Sequence, residues 1–291
     1  MYLGVDVGGT KVEAASVVDG ALRVSDRLPT ASSYKRLLDD VEALCRAITE
    51  DSAGLHGVGI GVPGQASEDR VEWVPNVHCL DGRDLAGDLS SRLECPVHVA
   101  NDAQLALLGE AWRGAARDTS SAVLFSIGTG VGGALLLDGK IVRGSRGGAG
   151  ALGWLNLNLG HTPDPDHGWL ELHASGRALA ATGTEFDPPR TPEQIVADAR
   201  AGEPSCTRVL DDAARALGVA SASIASVLDP EVVLFSGGLV DAFDLLEAPL
   251  QAAFREHASP VVRDTPLSAA ALGATANLWG AIRAAELSSP T

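Results

Sequence analysis

The chain has 291 residues, 45% of them hydrophobic and 21% charged. It is too long for one ordinary domain and suits two lobes, with bulk enough to bury a core without disulfide or metal. Thirty-eight acidic residues against 22 basic ones leave a formal charge of −16, a field that repels nucleic acid and anionic membrane, so any phosphate must be gripped locally. No apolar run approaches the roughly 18 residues of a membrane span, and no basic-then-apolar leader opens the chain. Cys45, Cys79, Cys95 and Cys206 stand apart with no paired spacing, the pattern of buried thiols in a reducing cytoplasm.

Residues 2–7 read as an apolar strand and 11–18 as a second, joined through Gly8, Gly9 and Thr10 in a hairpin. Leu37, Leu38, Val41, Leu44 and Ile48 recur at helical spacing and predict a helix over 34–50. A strand over 56–62 closes at Pro63-Gly64. Another, 97–100, runs into Asn101-Asp102 and a helix carrying Leu105, Leu108 and Trp112 on one face. The polar stretch 117–121 is the expected boundary between a small lobe, 1–117, and a large lobe, 118–291. Beyond it the pattern restarts with a strand at 122–127, a glycine loop, a strand at 134–138, a turn at Asp138-Gly139 and a strand at 140–143. A Gly-rich stretch (144–153) and a Pro/Asp loop (160–168) precede helices expected at 170–181, 192–200 and 205–228. A strand at 231–235 ends in Ser236-Gly237-Gly238, and the last helix, about 270–286, is free to pack on either lobe. Two hairpin openings with glycine turns, at 6–10 and 126–133, point to two related α/β lobes.

The glycine turns carry the first chemistry. Successive N–H groups of Gly8, Gly9, Thr10 and Lys11 form a concave nest suited to phosphate oxygens, and Asp6 at the strand end can hold the water shell of Mg²⁺. A plain hairpin with a capping Asp accounts for the same residues equally well. Gly128, Gly130 and Gly133 match the spacing of a dinucleotide-binding fingerprint, but a strand follows where a helix is required, and no acid stands about 20 residues on. Gly128, Thr129, Gly130 and Gly132 therefore read as a second phosphate hairpin. Gly237 and Gly238 leave room for an adenine or ribose against the backbone, or simply make a turn. Asp102 either caps its helix or supplies a carboxylate that takes a proton from a hydroxyl, roles that are compatible.

Taken in order, Asp6-Val-Gly-Gly-Thr-Lys11, Gly59-Ile-Gly-Val-Pro-Gly64, Asn101-Asp102, Gly128-Thr-Gly-Val-Gly-Gly133, Gly168-Trp-Leu-Glu171 and Ser236-Gly-Gly238 resemble the ROK family of ATP-dependent sugar kinases over essentially the whole chain. The resemblance implies an α/β, two-lobed actin-like (ribonuclease H-like) ATPase fold, with ATP and sugar in an interlobe cleft that closes on binding. It makes Asp102 the general base for a primary hydroxyl. It sets Gly64, Asn101 and Glu171 against the sugar, Gly8 to Lys11 and Gly128 to Gly133 on the phosphates, Gly237-Gly238 on the adenosine, and Asp6 on Mg²⁺ through water. It also implies a cytoplasmic homodimer.

Two departures bear on the substrate. Where the family carries Glu and His as readers of the sugar, this chain has Ala151 and Trp154, and the cysteines of the family's zinc loop are gone, so no structural zinc is expected. His161, His167 and His173 with Asp164 and Asp166 either build another metal site or stand as solvated loop residues. The expected acceptor is thus a modified hexose-like molecule, an amino-hexose such as kanosamine or a C7-cyclitol such as a valiolone, with two alternatives: ordinary glucokinase activity, or a non-catalytic sugar- and nucleotide-binding pseudokinase. A ROK-type repressor is not expected, since the first hairpin begins at Gly4 and the charge is acidic.

Overall fold

The first part of the chain forms, in order, β1 (Tyr2–Val7), β2 (Lys11–Val18), β3 (Ala21–Val24), β4 (Leu28–Pro29), α1 (Tyr34–Thr49), β5 (Gly57–Val62), β6 (Gln65–Ala66), β7 (Val71–Glu72), α2 (Leu85–Leu93), β8 (Val97–Asn101) and α3 (Asp102–Arg113). The computed structural model describes residues 1–49, 54–66, 70–74 and 76–288. Helices dominate what comes next: after β9 (Ala122–Ile127), β10 (Val131–Leu137) and β11 (Lys140–Ile141) stand α4 (Trp169–Ala174), α5 (Gly176–Gly183), α6 (Pro192–Arg200), α7 (Pro204–Leu228), β12 (Val232–Ser236), α8 (Phe243–His257), β13 (Leu267–Ala269) and α9 (Ala276–Ser288).

Two units divide the chain. The first holds Met1–Asp118, Arg143–Ala149 and Ala274–Thr291, and the second Thr119–Val142 and Gly150–Gly273. In the first, the sheet order is β3-β2-β1-β5-β8, with β4 also on β2; β1 pairs antiparallel with β2 and parallel with β5, and β5 pairs parallel with β8. Every residue of β5 is buried, as expected of a parallel strand covered on both faces. α9 lies over β1 and β5 so closely that a side chain on Gly59 would run into the Ala281 backbone. Leu3, Val5, Val58 and Ile60 pack with Leu37, Val41 and Leu44 of α1 into one core.

The second unit repeats the pattern in the order β11-β10-β9-β12-β13. Again an antiparallel hairpin, β9–β10, is followed by parallel β9–β12 and β12–β13. Phe125 and Phe235 stack at 5.6 Å between centroids in its core, among Val123, Leu210, Leu217 and Leu250. Each such side chain contributes about 1.5–3 kcal/mol on burial.

The expected elements near both glycine hairpins are present, with differences that have physical causes. The single helix expected over 170–181 is broken at Ser175, whose Oγ accepts from Ala178 N at 3.1 Å and starts α5 anew. The strand expected at 134 begins at Val131. The last helix starts at Ala276 rather than 270 and packs on α3, β1 and β5. The expected boundary near 117 left the last helix free to pack on either lobe; α9 packs with the first unit, and so do residues 143–149, which that boundary places in the large lobe. Arg143 Nη2 donates to His98 Nε2 on β8 at 2.8 Å, and burial, then the Arg143 charge, pushes the His98 pKa down to about 4, keeping that imidazole neutral.

Candidate active site

In the first unit the β1–β2 turn is tied by its own backbone and by Thr30. Gly8 N–H donates to the Lys11 carbonyl at 2.9 Å, while Thr30 donates to the Gly8 carbonyl through Oγ1 at 2.6 Å and to the Thr10 carbonyl through N–H at 3.1 Å. Gly9 and Thr10 are exposed, and Asn76 lies over Gly9, where an added Cβ would come within 2.9 Å of the Asn76 Cβ. Lys11 Nζ meets one oxygen of Glu13 at 2.6 Å, and Arg27 Nε meets the other at 2.7 Å. Glu13 is only 2% exposed. Burial raises its pKa, but the hydrogen bonds and charges of Lys11 and Arg27 outweigh this and hold it below the usual carboxylate range.

Asp6 closes β1 with little compensation. Asn277 Nδ2 on α9 donates to its Oδ1 at 3.4 Å. Burial, followed by the negative charges of Asp102 and Glu13, pushes the Asp6 pKa up to about 6 against the opposing pull of Lys11. At the end of β8, Asn101 rather than Asp102 caps α3: its Oδ1 accepts from Ala103 N at 3.0 Å and from Gln104 N at 3.3 Å, and its Nδ2 donates to the Gly64 carbonyl at 2.9 Å. Asp102 is thereby the first helical residue. Burial raises the pKa of its carboxyl, and the Ala103 N–H and Asn101 pull it down by less. Asp6, Asn101, Asp102, Gly64 and the glycines of the β1–β2 hairpin thus gather at one end of the first sheet, past the C-termini of β1, β5 and β8.

In the second unit the β9–β10 turn is stapled from two sides. Gly128 N–H donates to the Gly130 carbonyl at 3.0 Å, and the first turn of α5 donates to it from Gly176 N (onto Gly128, 2.8 Å) and Arg177 N (onto Thr129, 3.1 Å). Glu171 Oε2 accepts from Val131 N at 3.0 Å, so α4 fixes the start of β10 as well. Gly132 faces open space. Ala151 is exposed, and Trp154, at the end of the one-turn helix Leu152–Trp154, is 46% exposed.

Gly237 has φ +91°, and a Cβ on it would come within 2.8 Å of Ile127 N at the end of β9. Gly238 has open space around it. Gly237→Ala is therefore expected to destabilise the second unit by about 2–4 kcal/mol, from strain plus collision, while Gly238→Ala stays within about 0.5 kcal/mol of wild type. Denaturation midpoints of the two variants check this; equal midpoints would refute it.

The loop that replaces the family's zinc loop is held by its own side chains. Asp164 Oδ1 accepts from Asp166 N and His167 N, each at 2.8 Å, and Asn158 Oδ1 accepts from Gly160 N at 2.9 Å. His173 Nδ1 donates to the Trp169 carbonyl at 2.7 Å, its ring stacks on Trp169 at 3.9 Å, and His161 meets it edge-on at 6.1 Å. Among the described residues, no group of three or more His, Cys, Asp or Glu side chains is placed to hold a metal ion, so His161, His167, His173, Asp164 and Asp166 do not assemble as one. None of the described helices is long and apolar enough to cross a membrane.

The sequence alone did not point to Glu13, Asn76 or Asn277. Asn277 stands 271 residues from Asp6 and meets it only because α9 packs on β1. Glu13 had a weak signal, an acid at an inward position of a strand that would otherwise bury an uncompensated charge.

A model of the ROK family matches residues 2–287. An N-acetyl-D-glucosamine kinase of Escherichia coli is 32% identical, covering 97% of this chain and 98% of its own length. A glucokinase of Halalkalibacterium halodurans is 30% identical over 90% of this chain and 88% of its own. The crystal structure of a ROK hexokinase from Thermus thermophilus superposes with a TM-score of 0.86 at 32% identity and 98% coverage of both chains. The chain belongs to the ROK family: it has the actin-like ATPase fold of the family's hexokinases and is a phosphotransferase of the sugar-kinase class.

Proposed function

We propose that the protein transfers the γ-phosphoryl group of ATP to the primary hydroxyl of a hexose-like acceptor altered around C1–C3, an amino-hexose such as kanosamine or a C7-cyclitol such as a valiolone, in preference to glucose. One observation carries the acceptor reading: the positions where the family resemblance sets a Glu and a His are filled by Ala151, a bare methyl, and by Trp154, a half-exposed indole. A hydrogen bond to a charged reader is worth about 1.5–3 kcal/mol, or roughly 10- to 150-fold in affinity. A glucose-like ligand forfeits two such bonds here, whereas an acceptor with different substituents at those carbons does not.

In this reading Asp102 accepts the hydroxyl proton as the oxygen attacks the γ-phosphorus, and the phosphorus–oxygen bond to ADP breaks in line. Asn101 and Gly64, already bonded to each other, take ring hydroxyls, and Glu171 the C1 end. The N–H groups of Gly8, Gly9, Thr10 and Lys11, with those of Gly128, Thr129, Gly130 and Gly132, take phosphate oxygens, and Gly237-Gly238 the adenosine. Mg²⁺ suits Asp6: burial and the neighbouring Asp102 leave there an excess of negative charge that a hydrated divalent cation relieves. Bound with ATP, the ion neutralises charge on the phosphates.

The test is coupled turnover with MgATP on glucose, mannose, N-acetylglucosamine, kanosamine and a valiolone-type cyclitol. The expected result is a kcat/KM for the amino-sugar or cyclitol at least about tenfold above that for glucose. The double variant Ala151→Glu/Trp154→His is expected to move that ratio toward glucose by about tenfold or more. Preferred use of glucose by wild type, or a ratio unmoved in the double variant, would overturn the acceptor assignment.

A further inference from the structure

We infer that Trp73 is an acceptor contact, its indole packing on the C–H face of the ring that Asn101 and Gly64 hold by its polar edge. The inference rests on the acceptor site proposed above. Its basis is the loop after β7, where an aromatic side chain is left out of the core while the backbone around it is fixed. Trp73 is 61% exposed, an unusual outcome for the largest apolar side chain. Its φ of +51° lies in the left-handed region, which bulky side chains avoid and which persists only where the surroundings impose it.

The surroundings here do impose it. Trp73 N–H donates to Asp81 Oδ1 at 2.8 Å. Asp81 follows the turn His78–Leu80, whose Leu80 is fully buried, and the same loop is closed by Gly82 N onto the Val71 carbonyl at 2.8 Å and Val71 N onto the Arg83 carbonyl at 2.9 Å. On the other side Val74 is 3% exposed. The main chain on both sides of Trp73 is therefore pinned, and the ring is the free part.

What the pinned segment touches is Gly64. A Cβ on Gly64 would come within 2.8 Å of the Trp73 carbonyl oxygen and 3.2 Å of Val74 Cα. The carbonyl of that glycine is the acceptor of the Asn101 amide bond. The Trp73 main chain is thus contiguous with Gly64 and, through it, with Asn101, so the segment that abuts this polar reader carries an exposed indole. Such pairing suits a saturated ring, whose faces are C–H and whose rim is hydroxyl or amine. It also makes up for the polar readers that Ala151 and Trp154 do not supply, since an aromatic face does not discriminate among the rim substituents.

The experiment compares Trp73→Ala, Trp73→Phe and Trp73→Gly with wild type on the best acceptor of the panel. Trp73→Ala is expected to raise the acceptor KM about tenfold with kcat at saturation and the KM for MgATP within about twofold. Trp73→Phe keeps an aromatic face and stays within about threefold of wild type. Trp73→Gly, free of the left-handed penalty, melts no lower than wild type, which separates removal of the indole from collapse of the loop. Acceptor-induced change in tryptophan fluorescence shrinks in Trp73→Phe. An acceptor KM within twofold of wild type in Trp73→Ala, or an equal rise in the KM for MgATP, would overturn the inference alone. A wild-type protein that turns over none of the acceptors would instead overturn the reading beneath it, and this inference with it.

Discussion

Replacing Asp102 by Asn is expected to lower kcat by about a thousandfold while MgATP affinity stays within about threefold of wild type. General-base catalysis of this kind contributes about 10²–10⁴-fold, and the carboxylate is the only part of the residue that the substitution removes. The helix start survives, because Asn101, not Asp102, makes the capping bonds to Ala103 and Gln104. The amide oxygen of the variant can still accept from Ala103 N, as Oδ1 of Asp102 does at 2.8 Å. Burial raises the pKa of the Asp102 carboxyl, so a neutral isostere relieves a cost rather than adding one, and the melting midpoint should not fall. One consequence reaches a second residue. The Asp102 charge is among the causes that raise the Asp6 pKa, so the acid limb of any residual activity or of MgATP binding moves to lower pH in the variant. Steady-state kinetics and a nucleotide titration measure both parts. Retention of more than a tenth of wild-type turnover would remove Asp102 from the role of base, and loss of nucleotide binding in parallel with kcat would make its role structural.

The parts of this protein legible in its sequence are those whose signals are local. The β1–β2 and β9–β10 hairpins follow from apolar alternation broken by Gly-Gly-Thr and by Gly-Thr-Gly, and the α1 helix from Leu37, Val41, Leu44 and Ile48. The helix α8 was not read from the chain: Pro249 sits inside it, a residue that marks a break when taken alone, yet Leu246, Leu250 and Phe254 bury against α7 and hold the helix through it. α2 is only nine residues long, with Leu85 and Leu89 as its buried face, too short a run for periodicity to declare. Ser175 was invisible as a break because its capping role appears only once its hydroxyl is buried under α5. At the proposed site, residue types at strand ends point to Asp6, Asn101 and Asp102. The residues that set their electrostatics, Glu13 and Asn277, depend on which side chains the tertiary packing brings to them.

Asp6 offers the largest separation between stability and activity. Its pKa, about 6 against an ordinary 3.8, means that the folded protein holds this carboxyl's proton more tightly than the unfolded chain does. Between about pH 4 and pH 6 the folded state therefore binds more protons, and stability falls as pH rises through that window. Above pH 6 the full cost of the buried charge is present, about 3 kcal/mol for a shift of about two units. Asp6→Asn removes that cost and keeps an oxygen to accept from Asn277. At pH 8 the variant is expected to melt about 5 °C above wild type, the difference shrinking as pH falls and vanishing near pH 4. Turnover moves the other way: without the carboxylate the MgATP site loses its anionic partner, and kcat/KM for MgATP falls by about a hundredfold or more. Thermal denaturation at a series of pH values and kinetics with varied Mg²⁺ check the two arms separately. A variant less stable than wild type at pH 8, or a stability difference that does not change between pH 4 and pH 8, would show that the Asp6 charge is compensated in the folded state. A stabilised variant with full activity would place the cation elsewhere.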